Sequence, residues 1–248
     1  MKLLIDIGNT RTKWAVWQGD SELEQGVVES FSIDWVETLK HRYSLRYGLV
    51  CSTRGDAELV CNLLQKSGLK ALVFDADCSV PIKNGYLTPR TLGRDRLAAA
   101  VGAATLYPDR EVVIIDLGTA LTIDHLTADG CFSGGVISPG LEMRFRALHT
   151  HTAALPLVEP TDTEGVVGRT TEEAIALGVM NSVAFEIEGY LARFAKKNGD
   201  FIPILTGGAA KYFVKRIKNT IFAEPNLVFC GLNRILEYNL ADNATTER

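Results

Sequence analysis

Leu4-Ile5-Asp6-Ile7-Gly8-Asn9 near the start of the chain and Ile114-Ile115-Asp116-Leu117-Gly118-Thr119 in its middle share one pattern: an apolar strand, an Asp, one apolar residue, a Gly and a polar residue. The copies lie 110 positions apart (116 − 6), and each runs on into a further apolar segment, residues 14–17 in the first and 121–125 in the second. A single Asp-x-Gly is an ordinary hairpin turn. Two in matching strand contexts read as an internal duplication. The expected architecture is therefore α/β, with two duplicated lobes over residues 1–110 and 111–248, each a mixed sheet flanked by helices.

The residue types explain what such turns do. Glycine has no side chain, so backbone N–H groups close on phosphate oxygens and the turn can take positive φ. Asn9, Thr10 and Thr119 add donors, and Lys13 supplies a point charge for β- and γ-phosphates. Asp6 and Asp116 can hold cations directly or through water. There is no G-x-x-x-x-G-K-[ST], and no G-x-G-x-x-G follows a strand, which excludes the P-loop and dinucleotide folds. A nucleotide must be gripped another way.

Around the two turns, hydrophobic period predicts strands at residues 2–7, 14–17, 48–51, 71–74, 112–115, 121–125, 131–137, 202–205 and 227–229. Helices are expected at 33–41, 56–67, 95–106, from 141, 172–196 and 207–218, with one more closing the chain. Residues 18–25 are polar and read as a turn, 84–92 as a loop, and 242–248 as a frayed tail. Asp129-Gly130 reads as a hairpin turn.

With 46% hydrophobic and 23% charged residues and a net charge of −4, the chain has the balance of a globular protein without the basic footprint of a nucleic-acid binder. No apolar run nears the roughly 20 residues of a membrane-spanning helix, so a cytoplasmic protein is expected. Cys51, Cys61, Cys78, Cys131 and Cys230 are an odd set without a Cys-x-x-Cys pair, which opposes both a disulfide framework and a zinc knuckle. His149 and His151 lack a third ligand at metal spacing.

The segments Asp6-Ile7-Gly8-Asn9-Thr10-Arg11-Thr12-Lys13, Gly93-Arg94-Asp95-Arg96 and Asp116-Leu117-Gly118-Thr119-Ala120-Leu121-Thr122 together resemble type III pantothenate kinase, in order, spacing and sequence. The likeness continues through Phe132-Ser133-Gly134-Gly135, Ile137-Ser138-Pro139-Gly140, the Thr171 segment and Thr206-Gly207-Gly208. It implies actin-like (ribonuclease H-like) lobes with an ATP cleft, and transfer of the ATP γ-phosphate to the primary hydroxyl of pantothenate, the first step toward coenzyme A. Asp95 would be the general base, with residues 6–13, Thr119, Gly207 and Gly208 on the nucleotide. Tyr86, Gly93, Arg94, Asp95 and Arg96 would meet pantothenate, Arg96 through its carboxylate. Thr171 would reach the site of a partner subunit in a homodimer. Magnesium would accompany ATP, with Asp6 on its side, and Asp116 would hold potassium or ammonium.

Residue by residue, plainer roles exist. Asp95 at a helix start is favoured by the macrodipole, worth about 0.3–1 kcal/mol. Thr170 or Thr171 is a ready N-cap with Glu172 or Glu173 nearby. Gly-Gly before a helix is a generic anion site or simply a turn. Different functions also remain open on one fold: a regulatory or transcriptional accessory protein, a kinase of another small hydroxy acid, or an actin-like ATPase that couples hydrolysis to movement. A binding-only protein would have little use for Asp95.

Overall fold

In the computed structural model, which describes residues 1–218 and 221–246, the chain forms two compact units. The first comprises Met1–Pro108, Gly130–Phe132 and the chain from Asn226 onward; the second comprises Asp109–Asp129 and Ser133–Pro225.

Unit 1 is built on β1 (Lys2–Ile7), β2 (Thr12–Gln18), β3 (Ser21–Val28), β4 (Tyr47–Ser52) and β5 (Lys70–Val73), in the sheet order β3-β2-β1-β4-β5. β1 is antiparallel to β2 and parallel to β4. Helix α1 (Ile33–Tyr43) starts where the Ser32 hydroxyl accepts the Trp35 N–H at 3.1 Å and ends at Ser44 in the left-handed region. Helix α2 (Ala57–Lys66) turns Val60, Cys61 and Leu64 inward and stops before Gly68 at φ +81°. These faces close over Leu3, Ile5, Ile7, Val16 and Val50 as one core. Helix α3 (Arg94–Leu106) follows a 3-10 turn at Pro89–Thr91, and the short β6 (Lys83–Asn84) pairs with Cys131 and Phe132.

Residues 18–25, expected as a turn, are mostly strand. Gly19 at φ +58° and Asp20 make a two-residue turn, and β3 pairs with β2 from Ser21 to Val28. β3 is an edge strand whose two faces alternate between exposed and half-buried, so polar residues suffice and no apolar run advertises it. Gly26 leaves room for the Trp14 indole, whose ring atoms would lie 2.9 Å from a Cβ there.

Unit 2 repeats the plan with β7 (Val112–Leu117), β8 (Ala120–Leu126), β9 (Cys131–Pro139), β10 (Ile202–Thr206) and β11 (Phe222–Ala223), in the order β11-β10-β7-β8-β9. β7 is antiparallel to β8 and parallel to β10, as β1 is to β2 and β4. Asp6 and Asp116 each occupy the fifth position of a six-residue strand. Helices α4 (Leu141–Thr150) and α5 (Thr171–Asn198) pack Phe145, Met180, Val183, Ile187 and Leu191 on Val113, Ile115 and Ile123. By length and composition α5 could cross a membrane, but half of its apolar window is buried.

Two expected elements are replaced. Residues 207–218 form no helix: a 3-10 turn at Ala210–Tyr212 leads into turns held by Arg216 N–H to Phe213 O (3.0 Å) and Ile217 N–H to Phe213 O (3.1 Å). Two consecutive glycines weaken helix initiation, and buried Phe213 and Ile217 hold the compact turn instead. Residues 227–229 are not a strand but the first turn of α6 (Leu227–Thr246), which returns to unit 1 and packs against α3. The helix begins two residues after Pro225, and Gly231 fits directly on Ala98, where a Cβ would lie 2.7 Å from the Ala98 carbonyl carbon. α6 therefore belongs with residues 1–108 rather than with the lobe that precedes it in sequence. It also reaches into the expected tail, whose last two residues lie outside those described.

Candidate functional site

The first hairpin places residues 8–11 between β1 and β2. Gly8 N–H donates to Arg11 O at 3.1 Å, and a Cβ on Gly8 would sit 3.2 Å from that oxygen. Ile7 and Thr12 are both buried, which fixes the strand ends, while Asn9, Thr10, Arg11 and Lys13 are exposed. The result is a turn closed by one backbone hydrogen bond with its polar residues toward solvent, a geometry that can receive anions. Lys13 is cross-strand partner to Asp6.

Asp6 carries a clear electrostatic signature. Its Oδ1 is buried and has no hydrogen-bond partner among the described residues. Burial first, and then the negative charge of Asp95, push its pKa from 3.8 up to about 6, against the opposing pull of Lys13. Cys51, beside Asp6 on β4, has its thiol pushed well above the ordinary value by burial and by the charges of Asp6 and Asp95. A buried, unpartnered carboxylate oxygen beside a second carboxylate fits a cation, and its oxygen chemistry is compatible with magnesium.

Asp95 lies in the first turn of α3. Its Oδ1 accepts the Arg96 N–H at 2.8 Å, and a Cβ on Gly93 would come within 2.5 Å of the same oxygen, so any larger residue there would have to displace the Asp95 carboxylate. Arg96 is 7% exposed, its guanidinium 5.7 Å from the Tyr86 ring centroid and 5.8 Å from that of Phe132. Arg94 faces elsewhere: its Nη atoms donate to Asp75 O at 3.3 Å and Pro89 O at 2.5 Å, fastening the loop that precedes α3. Unit 1 thus gathers Asp6, Lys13, Asp95, Arg96 and Tyr86, with Arg94 in a supporting position.

In unit 2 the second hairpin is shorter. Thr122 rather than a lysine stands opposite Asp116, and Gly118 and Thr119 are exposed at the tip. Gly207, at φ +90°, lays its backbone over the Asp: a Cβ there would fall 2.7 Å from Leu117 N. Ala209 N–H donates to Leu117 O at 3.1 Å, so Gly207-Gly208 is bound to the end of β7. Gly140, the residue before α4, lies on the turn itself, where a Cβ would come 2.6 Å from Gly118 O. A carboxylate near turn carbonyls is of the oxygen-donor type that hard cations take.

Thr170, not Thr171, caps α5: its Oγ1 accepts the Glu173 N–H at 3.2 Å, while Glu173 Oε2 accepts the Arg169 N–H at 2.8 Å. Thr171 is exposed at the first helical position and takes no part in the cap. No group of three or more His, Cys, Asp or Glu able to hold a metal occurs among the described residues, and His149 Nδ1 is engaged by Leu155 O at 2.9 Å.

Three residues of these surroundings escaped the sequence reading. Phe132 enters the sequence reading only within a segment of the family likeness and with no role of its own, yet its ring is the second face on Arg96. Cys51 shares the register position of Asp6, visible only once β1 and β4 are paired. Arg54, in the loop after β4, reaches Thr12 Oγ1 at 3.4 Å and Asp56 Oδ2 at 3.3 Å, beside the first hairpin.

Solved structures share this fold. A Streptomyces griseus ROK family glucokinase, in complex with glucose and AMPPNP, matches with TM-score 0.51 and 15% identity over 96% of this chain and 98% of that one. The Clostridium difficile activator of 2-hydroxyisocaproyl-CoA dehydratase, with bound ADPNP, gives 0.54 and 13% over 100% and 97%. A Campylobacter jejuni protein classed by name with Baf family transcriptional activators gives 0.62 and 18% over 96% and 99%. Such identities show the fold alone, and the fold is that of actin-like ATPases and sugar kinases. The family is set by sequence. The profile of the type III pantothenate kinases matches residues 2–193. Type III pantothenate kinases from Christiangramia forsetii and Phocaeicola vulgatus are 41% and 39% identical over 96% of this chain and 99% of theirs. The chain belongs to the type III pantothenate kinase family.

Proposed function

We infer that the chain catalyses its family's reaction, ATP-dependent phosphorylation of pantothenate to 4'-phosphopantothenate at the entry to coenzyme A biosynthesis, with Asp95 as general base. The observation that carries this reading is the placement of one carboxylate, Asp95, beside both a phosphate-type hairpin with its orphaned Asp6 oxygen and an arginine framed by two rings.

The residues divide the work. Residues 8–11 with Lys13 bind the β- and γ-phosphates, while Thr119, Gly207 and Gly208 are the nucleotide-binding residues of unit 2. Arg96, oriented by Tyr86 and Phe132, binds the pantothenate carboxylate through its planar fork. Asp95 accepts the proton of the primary hydroxyl as its oxygen bonds to the γ-phosphorus and the bond from phosphorus to the ADP oxygen breaks. In a loose transition state this late proton acceptance is worth about 10²–10⁴-fold, and positioning and charge neutralisation supply the rest. Magnesium at Asp6 and a monovalent cation at Asp116 would neutralise charge developing on the phosphates.

The exposed Thr171 is assigned to the site of a partner subunit. That assignment is supported by large apolar side chains exposed in unit 2, Val166 (82%), Val167 (77%) and Phe185 (60%), which a second copy would cover. The assembly is read as a cytoplasmic homodimer. The deciding experiment measures ADP release with ATP and magnesium, with and without pantothenate and potassium. Pantothenate-dependent release is expected; equal release without pantothenate would reject the kinase reading and favour a simple ATPase.

A further inference from the structure

Arg144, on α4, ties the strand end behind the second hairpin to α5. Its Nε donates to Pro139 O at 2.8 Å, one Nη to Ser182 Oγ at 3.2 Å, and the other to Ser138 Oγ at 3.2 Å and to Glu186. The guanidinium is largely buried, as is the Glu186 carboxylate that balances it. One fork therefore joins two structures. On one side are residues 138–140, whose last member, Gly140, lies on the hairpin tip so closely that a Cβ would meet Gly118 O at 2.6 Å and Thr119 C at 2.7 Å. On the other is α5, from Ser182 and Glu186 back to Thr171 at its start.

We propose that Arg144 is a positioning residue for the second hairpin: it presses residues 138–140 against the carbonyls of Gly118 and Thr119 and so sets the conformation in which that turn binds. The inference rests on the reading that this turn engages ATP and a cation. The physical case is one of preorganisation. A turn of Gly and Thr has little of its own to hold its shape, and a displacement of the order of 1 Å at a binding group can cost as much as about 10²-fold. The backing strand β9 is hydrogen-bonded to β8 in the sheet and ends at Pro139, next to Gly140, and the fork on Ser138 and Pro139 adds the side-chain fastening at that end. Lysine offers a point charge without the planar fork and cannot reproduce four contacts at once.

The test uses the full-length protein with ATP titrated calorimetrically in the presence of magnesium and potassium, alongside melting temperature and the KM for pantothenate. Arg144→Met is expected to weaken ATP binding about tenfold, Arg144→Lys to recover part of that loss, and the pantothenate KM to stay within about twofold. Ser138→Ala, which frees only the hairpin side, should weaken ATP binding, whereas Ser182→Ala, which frees only the α5 side, should leave it unchanged. A lowered melting temperature with ATP affinity at the wild-type value in Arg144→Met would overturn the inference and leave Arg144 a structural brace. If Arg144→Met fails to fold, equal ATP affinity in Ser138→Ala and wild type overturns it instead. Wild-type protein that binds no ATP would remove the underlying kinase reading as well, so the two failures are told apart.

Discussion

Burial of Asp6, at the end of β1, and after it the charge of Asp95, at the start of α3, raise the proton affinity of the Asp6 carboxylate. Two carboxylates from separate elements are thus held in one field, one with an oxygen that no described group satisfies. Such an arrangement costs stability in the free protein and is relieved by a bound cation.

The sign of that cost is testable. A carboxyl whose folded pKa is about 6 against 3.8 disfavours the folded state once it ionises: the penalty is absent below about pH 4 and complete above about pH 6. At neutral pH it amounts to about 3 kcal/mol. Asp6→Asn should therefore raise the stability of the cation-free protein at pH 7.5, and the gain should vanish near pH 4. Urea unfolding at both values checks this; an equal difference at the two would refute it.

The packing that carries Asp95 rests on two glycines. Gly102 on α3 and Gly231 on α6 meet backbone to backbone: a Cβ on Gly231 would lie 3.0 Å from Gly102 N and 2.7 Å from the Ala98 carbonyl carbon. Gly231→Ala should cost about 2 kcal/mol or more by overpacking, visible as a melting temperature lower by about 5 °C or more. An unchanged melting curve would show that α6 can shift freely.

These contacts mark what a single sequence displays. The two Asp-x-Gly turns and the strands flanking them were legible, because alternating and buried apolar runs report local structure directly. The edge strand β3 was not, since one half-covered face asks for little hydrophobicity. α6 was misread at its start because Leu227, Val228 and Phe229 are as apolar as a strand, and only the close fit of Gly231 on α3 reveals the helix. Asp95 and Arg96 were legible through the Gly93-Arg94-Asp95-Arg96 segment, whereas Phe132 meets Arg96 from 36 positions away (132 − 96), and Arg144 joins nearby Ser138 and Pro139 to Ser182 and Glu186, 38 and 42 positions on (182 − 144, 186 − 144).

Arg96 between its two rings predicts a specific loss. Arg96→Lys should raise the KM for pantothenate about 10–100-fold with a much smaller change in turnover, because a charged hydrogen bond is worth about 1.5–3 kcal/mol. The alcohol analogue pantothenol, which lacks the carboxylate, should lose far less between wild type and variant. Equal losses for the two substrates would place the carboxylate elsewhere.

Sharing of the site between subunits is separable by complementation. Thr171→Ala and Asp95→Asn proteins, each nearly inactive, are mixed under conditions that exchange subunits. Random pairing should restore about a quarter of the wild-type sites, each joining an intact Asp95 to a partner's intact Thr171. Activity no higher than the sum of the separate variants would confine the site to one chain.

The role of Asp95 itself is tested most directly by single-turnover phosphorylation of pantothenate with Asp95→Asn, alongside its ATP affinity. The amide keeps the shape and removes the proton acceptor, so the phosphoryl-transfer rate should fall about 10²-fold or more while ATP binds within a few-fold of wild type. A rate within about threefold of wild type would contradict a general-base role and leave Asp95 as a helix-terminal carboxylate.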